Sequence, residues 1–255
     1  MKKPVCLIIG AGAGIGGNVA HRFARDGFHV CLCRRSDEKG LQDMIRDIET
    51  AGGSASGYIL NALEENSIED RVETIEKEIG PIEVALYNLG AQIGNKTLAE
   101  TSYKAYEMGW KLGNFGLFRL ASSLTPYMVD RGKGTILVTS ATAAVRGNNG
   151  QHSHAAAMGG RRMLCQTLNA EFSSKGIHIA HIIVDGAVDA PDTLGKMLGA
   201  EKFKALRESR GGEHDGLMLP SKIADTYFHI AQQHRSVWTF EIDMRSYSDS
   251  AWWNN

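Results

Sequence analysis

Four glycines at alternate positions stand in the run Gly10-Ala11-Gly12-Ala13-Gly14-Ile15-Gly16-Gly17, directly after the apolar run Val5-Cys6-Leu7-Ile8-Ile9. Glycines placed this way let the backbone approach a pyrophosphate closely. A helix that starts there offers free N–H groups and a partial positive charge to phosphate oxygens. The spacing predicts a dinucleotide cradle formed by Gly10, Gly12, Gly14, Ile15 and Gly16; a glycine-rich turn that binds nothing is the plain alternative. A second suggestive pair, Arg34-Arg35, follows the next apolar run. An acidic residue here would accept the ribose hydroxyls of NAD, but none occurs before Asp37. Guanidinium pairs bidentately with a 2′-phosphate, so the pair favours NADP(H) over NAD(H), against the alternative of a solvated basic pair at a strand end.

These groups need elements to hold them. The 255 residues are 43% apolar and 22% charged with a formal net charge of −1, which is globular usage and excludes a disordered chain. No basic excess points to nucleic acid. The four cysteines, Cys6, Cys31, Cys33 and Cys165, form no CxxC pair, and neither they nor the nine histidines show metal-ligand spacing. They read as reduced thiols of a cytoplasmic protein that holds no metal. No apolar run approaches the roughly 18 residues of a membrane span. The first one ends at Gly10 without a cleavage site, so it is not read as a signal peptide.

Short apolar runs at 5–9, 30–33, 58–60, 84–87, 135–139, 179–184 and 237–242 predict strands. Amphipathic stretches near 15–26, 37–51, 66–79, 102–130, 151–175 and 221–233 predict helices, with Ile68, Val72, Ile75 and Ile79 as the cleanest stripe. Such alternation implies the α/β class: a single Rossmann-type doubly wound domain over residues 1–255, with about seven parallel strands and helices on both faces. Only Pro126 falls inside a predicted helix. The segment 191–220 breaks the rhythm with Gly195, Gly199, Gly211, Gly212 and Gly216, and reads as a lid. Its Met197, Leu198, Phe203, Leu206, Leu217 and Met218 suggest an apolar small-molecule substrate.

At these motifs the chain resembles the short-chain dehydrogenase/reductase family along essentially its whole length. Gly10, Gly14 and Gly16 match the family's glycine spacing, with Ile9 where threonine is usual. Tyr87-Asn88-Leu89-Gly90 stands for the family's Asn-Asn-Ala-Gly, Asn61 for an adenine-contacting aspartate, and Asp185-Gly186 for Pro-Gly. The resemblance implies that Asn61, Asn88 and Gly90 join the cofactor site. It also implies a homotetramer or homodimer through the helices near 102–130 and 151–175, the second of which carries Ala155, Ala156, Ala157, Gly159 and Gly160.

The family's chemistry rests on Asn, Ser, Tyr and Lys, the last two four residues apart on one helix face. Here Ala141 occupies the serine slot, flanked by Ser140 and Thr142; His154 occupies the tyrosine slot and Met158 the lysine slot. Gly113 occupies the asparagine slot, with Asn114 one residue late, where a helix bulge would restore it. The resemblance therefore implies an altered site with His154, Asn114 and Ser140 as the catalytic candidates, and with Asp185 and Asp189 able to orient His154. Histidine can exchange a proton near neutral pH. Three functions remain open: an NADP(H)-linked oxidoreductase with a changed acid/base set, a non-redox enzyme on the same scaffold, and a catalytically silent cofactor binder.

Overall fold

The computed structural model describes residues 2–90, 96–210 and 216–254. Seven strands form one sheet: β1 (Val5–Ile9), β2 (His29–Arg34), β3 (Ser54–Ile59), β4 (Ile82–Tyr87), β5 (Gly134–Ala141), β6 (Ile177–Val184) and β7 (Glu241–Met244). Their order is β3-β2-β1-β4-β5-β6-β7, and every pairing is parallel. β1 is buried along its whole length, as a central parallel strand covered on both faces must be.

Helices α1 (Ile15–Arg25), α2 (Glu38–Thr50) and α9 (Pro220–Ala231) cover one face. Their Val19, Phe23, Leu41, Ile48, Ile223 and Tyr227 pack into one core cluster with Ile8, Leu32 and Leu137. Helices α3 (Ser67–Thr74), α5 (Gly116–Arg131) and α6 (His152–Phe172) cover the other. There Ile68, Val72, Leu117, Leu120 and Cys165 pack against Leu7, Ile136 and Val138. Alternate residues of β5 thus feed opposite cores, which is the period-2 geometry of a strand. The order reverses direction between β1 and β4, and in open α/β sheets ligands bind at such a switch point, outside the carboxyl ends of the strands.

Several boundaries differ from expectation for physical reasons. β3 begins four residues early, in Ser54-Ala55-Ser56-Gly57. These small residues carry no strand signature, but His29 in β2 hydrogen-bonds the hydroxyls of Ser54 and Ser56 at 2.6 and 2.9 Å. Gly57 is required because a Cβ there would lie 2.6 Å from Ile45 Cδ1. β7 lies later than the run at 237–242, and Val237 is 72% exposed. The long helix near 102–130 is interrupted: α4 (Tyr103–Trp110) passes into a π-helical turn, Lys111–Phe115, before α5. Pro126 sits within α5; the carbonyl it leaves without an amide donor belongs to Ser122, which is exposed to solvent.

The segment 191–220 holds a π turn (Pro191–Gly195), α7 (Lys196–Leu198) and α8 (Ala200–Ser209). Its residues 211–215, including Gly211 and Gly212, lie outside the described residues. Phe203, Leu217 and Met218 are buried, and Met218 pairs backbone to backbone with Val188. Three of the six apolar side chains singled out in the segment are thus spent on packing, while Met197 is exposed. Among the described residues no helix is long and apolar enough to cross a membrane.

Candidate active site

The glycine turn leaves β1 at Gly10, whose φ is +98°, and a Cβ there would sit 2.9 Å from the Asn88 carbonyl oxygen. A Cβ on Gly16 would strike the Gly10 carbonyl oxygen at 2.2 Å, so the start of α1 presses directly on the turn. At Gly12 and at Gly90 after β4, by contrast, a Cβ would meet nothing within 4 Å among the described residues. α1 begins after Gly14 with no side-chain cap and no acidic residue in its first turn. An uncapped helix start beside an open glycine face fits a phosphate.

Asn88 ties this turn to the rest of the sheet. Its Nδ2 donates to the Gly10 carbonyl at 3.0 Å, and its Oδ1 accepts from Thr139 Oγ1 at 2.7 Å. Tyr227 on α9 donates to the same Thr139 hydroxyl at 2.9 Å. Asn61 stabilises the turn after β3, accepting from the Leu63 amide at 3.2 Å and donating to Glu64 at 3.1 Å. Arg34 is already engaged: its Nη2 lies 2.8 Å from Asp37 Oδ2, while Arg35 is exposed.

The four positions that the family resemblance singles out, 113, 141, 154 and 158, do not all converge. Ala141 and His154 line one cleft of about 390 Å³ at the carboxyl ends of β5 and β6, together with Thr142, Arg146, Gln151 and Asp185. Met158, one turn along α6 from His154, is buried, and Ser140 Oγ points to its sulfur at 4.0 Å. Ser140 therefore belongs to the α6 packing and not to the cleft wall. Asn114 lies in the π turn, so the bulge exists, but the side chain packs on α6 at Gly160. A Cβ on Gly160 would come within 3.0 Å of Asn114 Nδ2, and Asn114 Oδ1 is buried without a partner. Ser140 is buried and Asn114 half-buried, neither lines the cleft, and His154 alone of the three candidates stands on it.

Neither aspartate orients His154. Asp185 lines the cleft but accepts from Thr142 Oγ1 at 2.6 Å and from Arg245 Nε and the Trp252 amide at 3.1 Å each. Asp189 pairs with Arg207 at 2.8 Å. His154 Nδ1 is buried with no hydrogen-bond partner. Burial, and then the nearby charge of Arg161, hold the His154 pKa below the usual histidine value, so the neutral ring is favoured.

Arg161 is the residue that sequence reasoning missed. It is 1% exposed, and its guanidinium donates to three backbone carbonyls: Gly113 in the π turn and Thr139 at 2.5 Å each, and Leu89 at 2.7 Å. The charge also lies 5.2 Å from the centre of the Tyr87 ring. The lysine slot is empty of charge at Met158, and three residues further along the same helix a different cation reaches the strand ends. Its sequence signal was a charge on the inner stripe of α6, in line with Ala157, Met158, Cys165 and Leu168.

Comparison with known proteins agrees with this architecture. Residues 4–196 match the family model described as short chain dehydrogenase. A crystal structure of a short-chain dehydrogenase from Rhodopseudomonas palustris is 30% identical, with a TM-score of 0.79, covering 96% of this chain and 99% of that one. A short-chain reductase of Streptomyces niveus is 28% identical over 94% of this chain and 91% of its own length. A metagenomic short-chain oxidoreductase, solved in complex with NADP, is 19% identical with a TM-score of 0.79, over 95% and 96% of the two chains.

Proposed function

The chain belongs to the short chain dehydrogenase family, and we propose on that basis that it is an NADP(H)-linked oxidoreductase whose acid/base group is His154. One observation carries this reading. The open glycine turn and the cleft bearing His154 lie at the same carboxyl-terminal edge of the sheet, joined through the Gly10–Asn88–Thr139 hydrogen bonds.

When bound, a nicotinamide cofactor supplies a hydride acceptor or donor. The amides at the start of α1 and the open faces of Gly12 and Gly90 receive its phosphates, with Ile15 at the helix start and Asn61 and Asn88 bordering the site. Arg34 and Arg35 stand at the end of β2 for a 2′-phosphate, and Arg34 has to share its charge between that phosphate and Asp37. His154 would take the proton of a substrate alcohol at its ring, while the oxidised nicotinamide, when bound, would accept the hydride. The neutral ring favoured by burial suits that direction better than protonation of a ketone. Ala141 offers the substrate no hydrogen bond, and the Thr142 hydroxyl is committed to Asp185.

Other features support the remaining parts of the reading. Within the segment 191–220, Thr193 stands beside the glycine turn, its hydroxyl 3.9 Å from where a Cβ on Gly14 would lie, which supports a lid over the cofactor side. Trp110, Phe115 and Phe118 are each at least 40% exposed and stack in a row at 5.4 and 6.3 Å along the α4–α5 face, a surface suited to a second copy of the chain. Four buried free cysteines suit the reducing cytoplasm. A silent cofactor binder is the second reading, favoured by the burial of Met158, which leaves that slot with no ammonium for a ribose. Calorimetric titration with NADP⁺ and NAD⁺, followed by absorbance assays over a panel of alcohols, separates the two. Binding with turnover supports the oxidoreductase, binding without turnover supports the silent reading, and no binding overturns both.

A further inference from the structure

Of the charges around the cleft, one cation stands without a carboxylate partner among the described residues. Asp185 pairs with Arg245, which it shares with Asp243, and accepts from Thr142 and the Trp252 amide. Asp249, also on the wall, is paired with Arg210. Arg146 has no such partner: among the described residues no carboxylate pairs with it, and its one hydrogen bond is from Nη1 to the Trp252 carbonyl at 3.3 Å. A guanidinium carries five N–H donors, so most of its capacity is left over in a half-buried position on the cleft wall. Behind the wall, Arg161 adds a second positive charge whose hydrogen-bond partners are backbone carbonyls alone.

The unengaged donors of Arg146 on this concave polar surface, with the Arg161 charge behind them, can receive an anion at that point of the wall. The cleft's Asn148 and Gln151 add amide groups suited to hydroxyls, and its volume of about 390 Å³ suits a small molecule. Arg146 lies in the loop between β5 and α6, eight residues before His154, and both side chains line the same cleft. A planar guanidinium matches a carboxylate with two parallel hydrogen bonds. We propose that the cleft binds a small hydroxy or keto acid, with Arg146 receiving the carboxylate and the hydroxyl or carbonyl carbon presented toward His154. The assignment of the reacting carbon rests on the oxidoreductase reading; the preference for a carboxylate does not.

The test uses lactate, malate and 3-hydroxybutyrate, each beside its neutral amide, titrated into the protein with and without NADP⁺. For at least one pair, the acid is expected to bind about tenfold or more tightly than its amide, the scale of one charge-assisted contact. Arg146→Ala should bring acid and amide to equal affinity, and Arg146→Lys should keep part of the preference. NADP⁺ affinity should be the same in all three proteins, which also shows that the variants are folded. Equal binding of every acid and its amide by the unaltered protein overturns the proposal, as does an undiminished preference in Arg146→Ala. Inorganic phosphate binding as tightly as the best acid also overturns it, as a general anion site. If NADP⁺ fails to bind while the acid preference stands, the oxidoreductase reading falls and the carboxylate site survives.

Discussion

The guanidinium of Arg161 on α6 donates a hydrogen bond to the carbonyl of Gly113, and through it the π turn between α4 and α5 is held against the ends of the sheet. The same side chain closes on the carbonyls of Thr139 and Leu89, so one buried cation joins β4, β5 and the interrupted helix. Replacing it by Met would leave these carbonyls buried without donors. Arg161→Met is expected to lose about 3–5 kcal/mol of stability, in the range seen when a buried charged partner is removed. Urea unfolding checks this, and a loss below about 1 kcal/mol would show that the clamp is not needed.

His154 governs the pH profile. Its pKa is lowered by burial and by Arg161, so the basic form persists below the ordinary value of about 6.5. Alcohol oxidation should therefore be flat through neutral pH and fall as the pH drops through the depressed pKa. Reduction of simple ketones and aldehydes should be weak at neutral pH, because the proton-bearing ring is scarce there. His154→Phe should lower oxidation by roughly 10²–10⁴ and remove the acid limb. A variant with the wild-type rate and profile would refute the assignment, and brisk reduction of ordinary carbonyls by the unaltered protein would show that another group serves as the acid.

Cofactor choice turns on the Arg34–Asp37 pair. Arg34→Ala should weaken NADP⁺ binding about tenfold or more, while NAD⁺ changes little. Asp37→Ala should release the guanidinium and tighten NADP⁺. Calorimetry on the three proteins decides it, and equal affinity of the unaltered protein for the two nucleotides would remove the preference.

Acid sensitivity should come partly from His181. Its side chain is fully buried, and its pKa is pushed down to about 4 mainly by burial, against the opposing pull of Glu241. A folded pKa below the unfolded value means that the unfolded chain binds more protons between the two. Stability is therefore lost as pH falls from about 6.5 toward about 4. Unfolding midpoints measured across that window should drop less steeply in His181→Gln than in the unaltered protein.

Assembly is expected to use the aromatic row. Light scattering should report a homodimer or homotetramer, and Phe118→Glu, which places a charge beside Phe115, should shift it toward smaller species. A monomer at all micromolar concentrations of the unaltered protein would count against the interface.

The strand–glycine–helix junction at residues 5–25 could be read from the chain because each part acts locally: apolar run, turn residue and amphipathic stripe are neighbours in sequence. The strand alternation was equally legible, and so was the placing of 141 on a strand end and of 154 and 158 one turn apart on one helix, since such spacing is preserved by secondary structure alone. What the chain could not reveal depends on partners distant in sequence. Ser54–Gly57 became a strand only because His29 and Ile45 stand beside it. Ser140 faced Met158 instead of the cleft because of how α6 packs on β5. Arg161 has a place inside the protein only because the fold brings three carbonyls from residues 89, 113 and 139 around it. Local sequence sets backbone preference and hydrophobic period, but burying a charge is decided by whether distant segments supply enough acceptors to replace water, and that is a property of the tertiary structure.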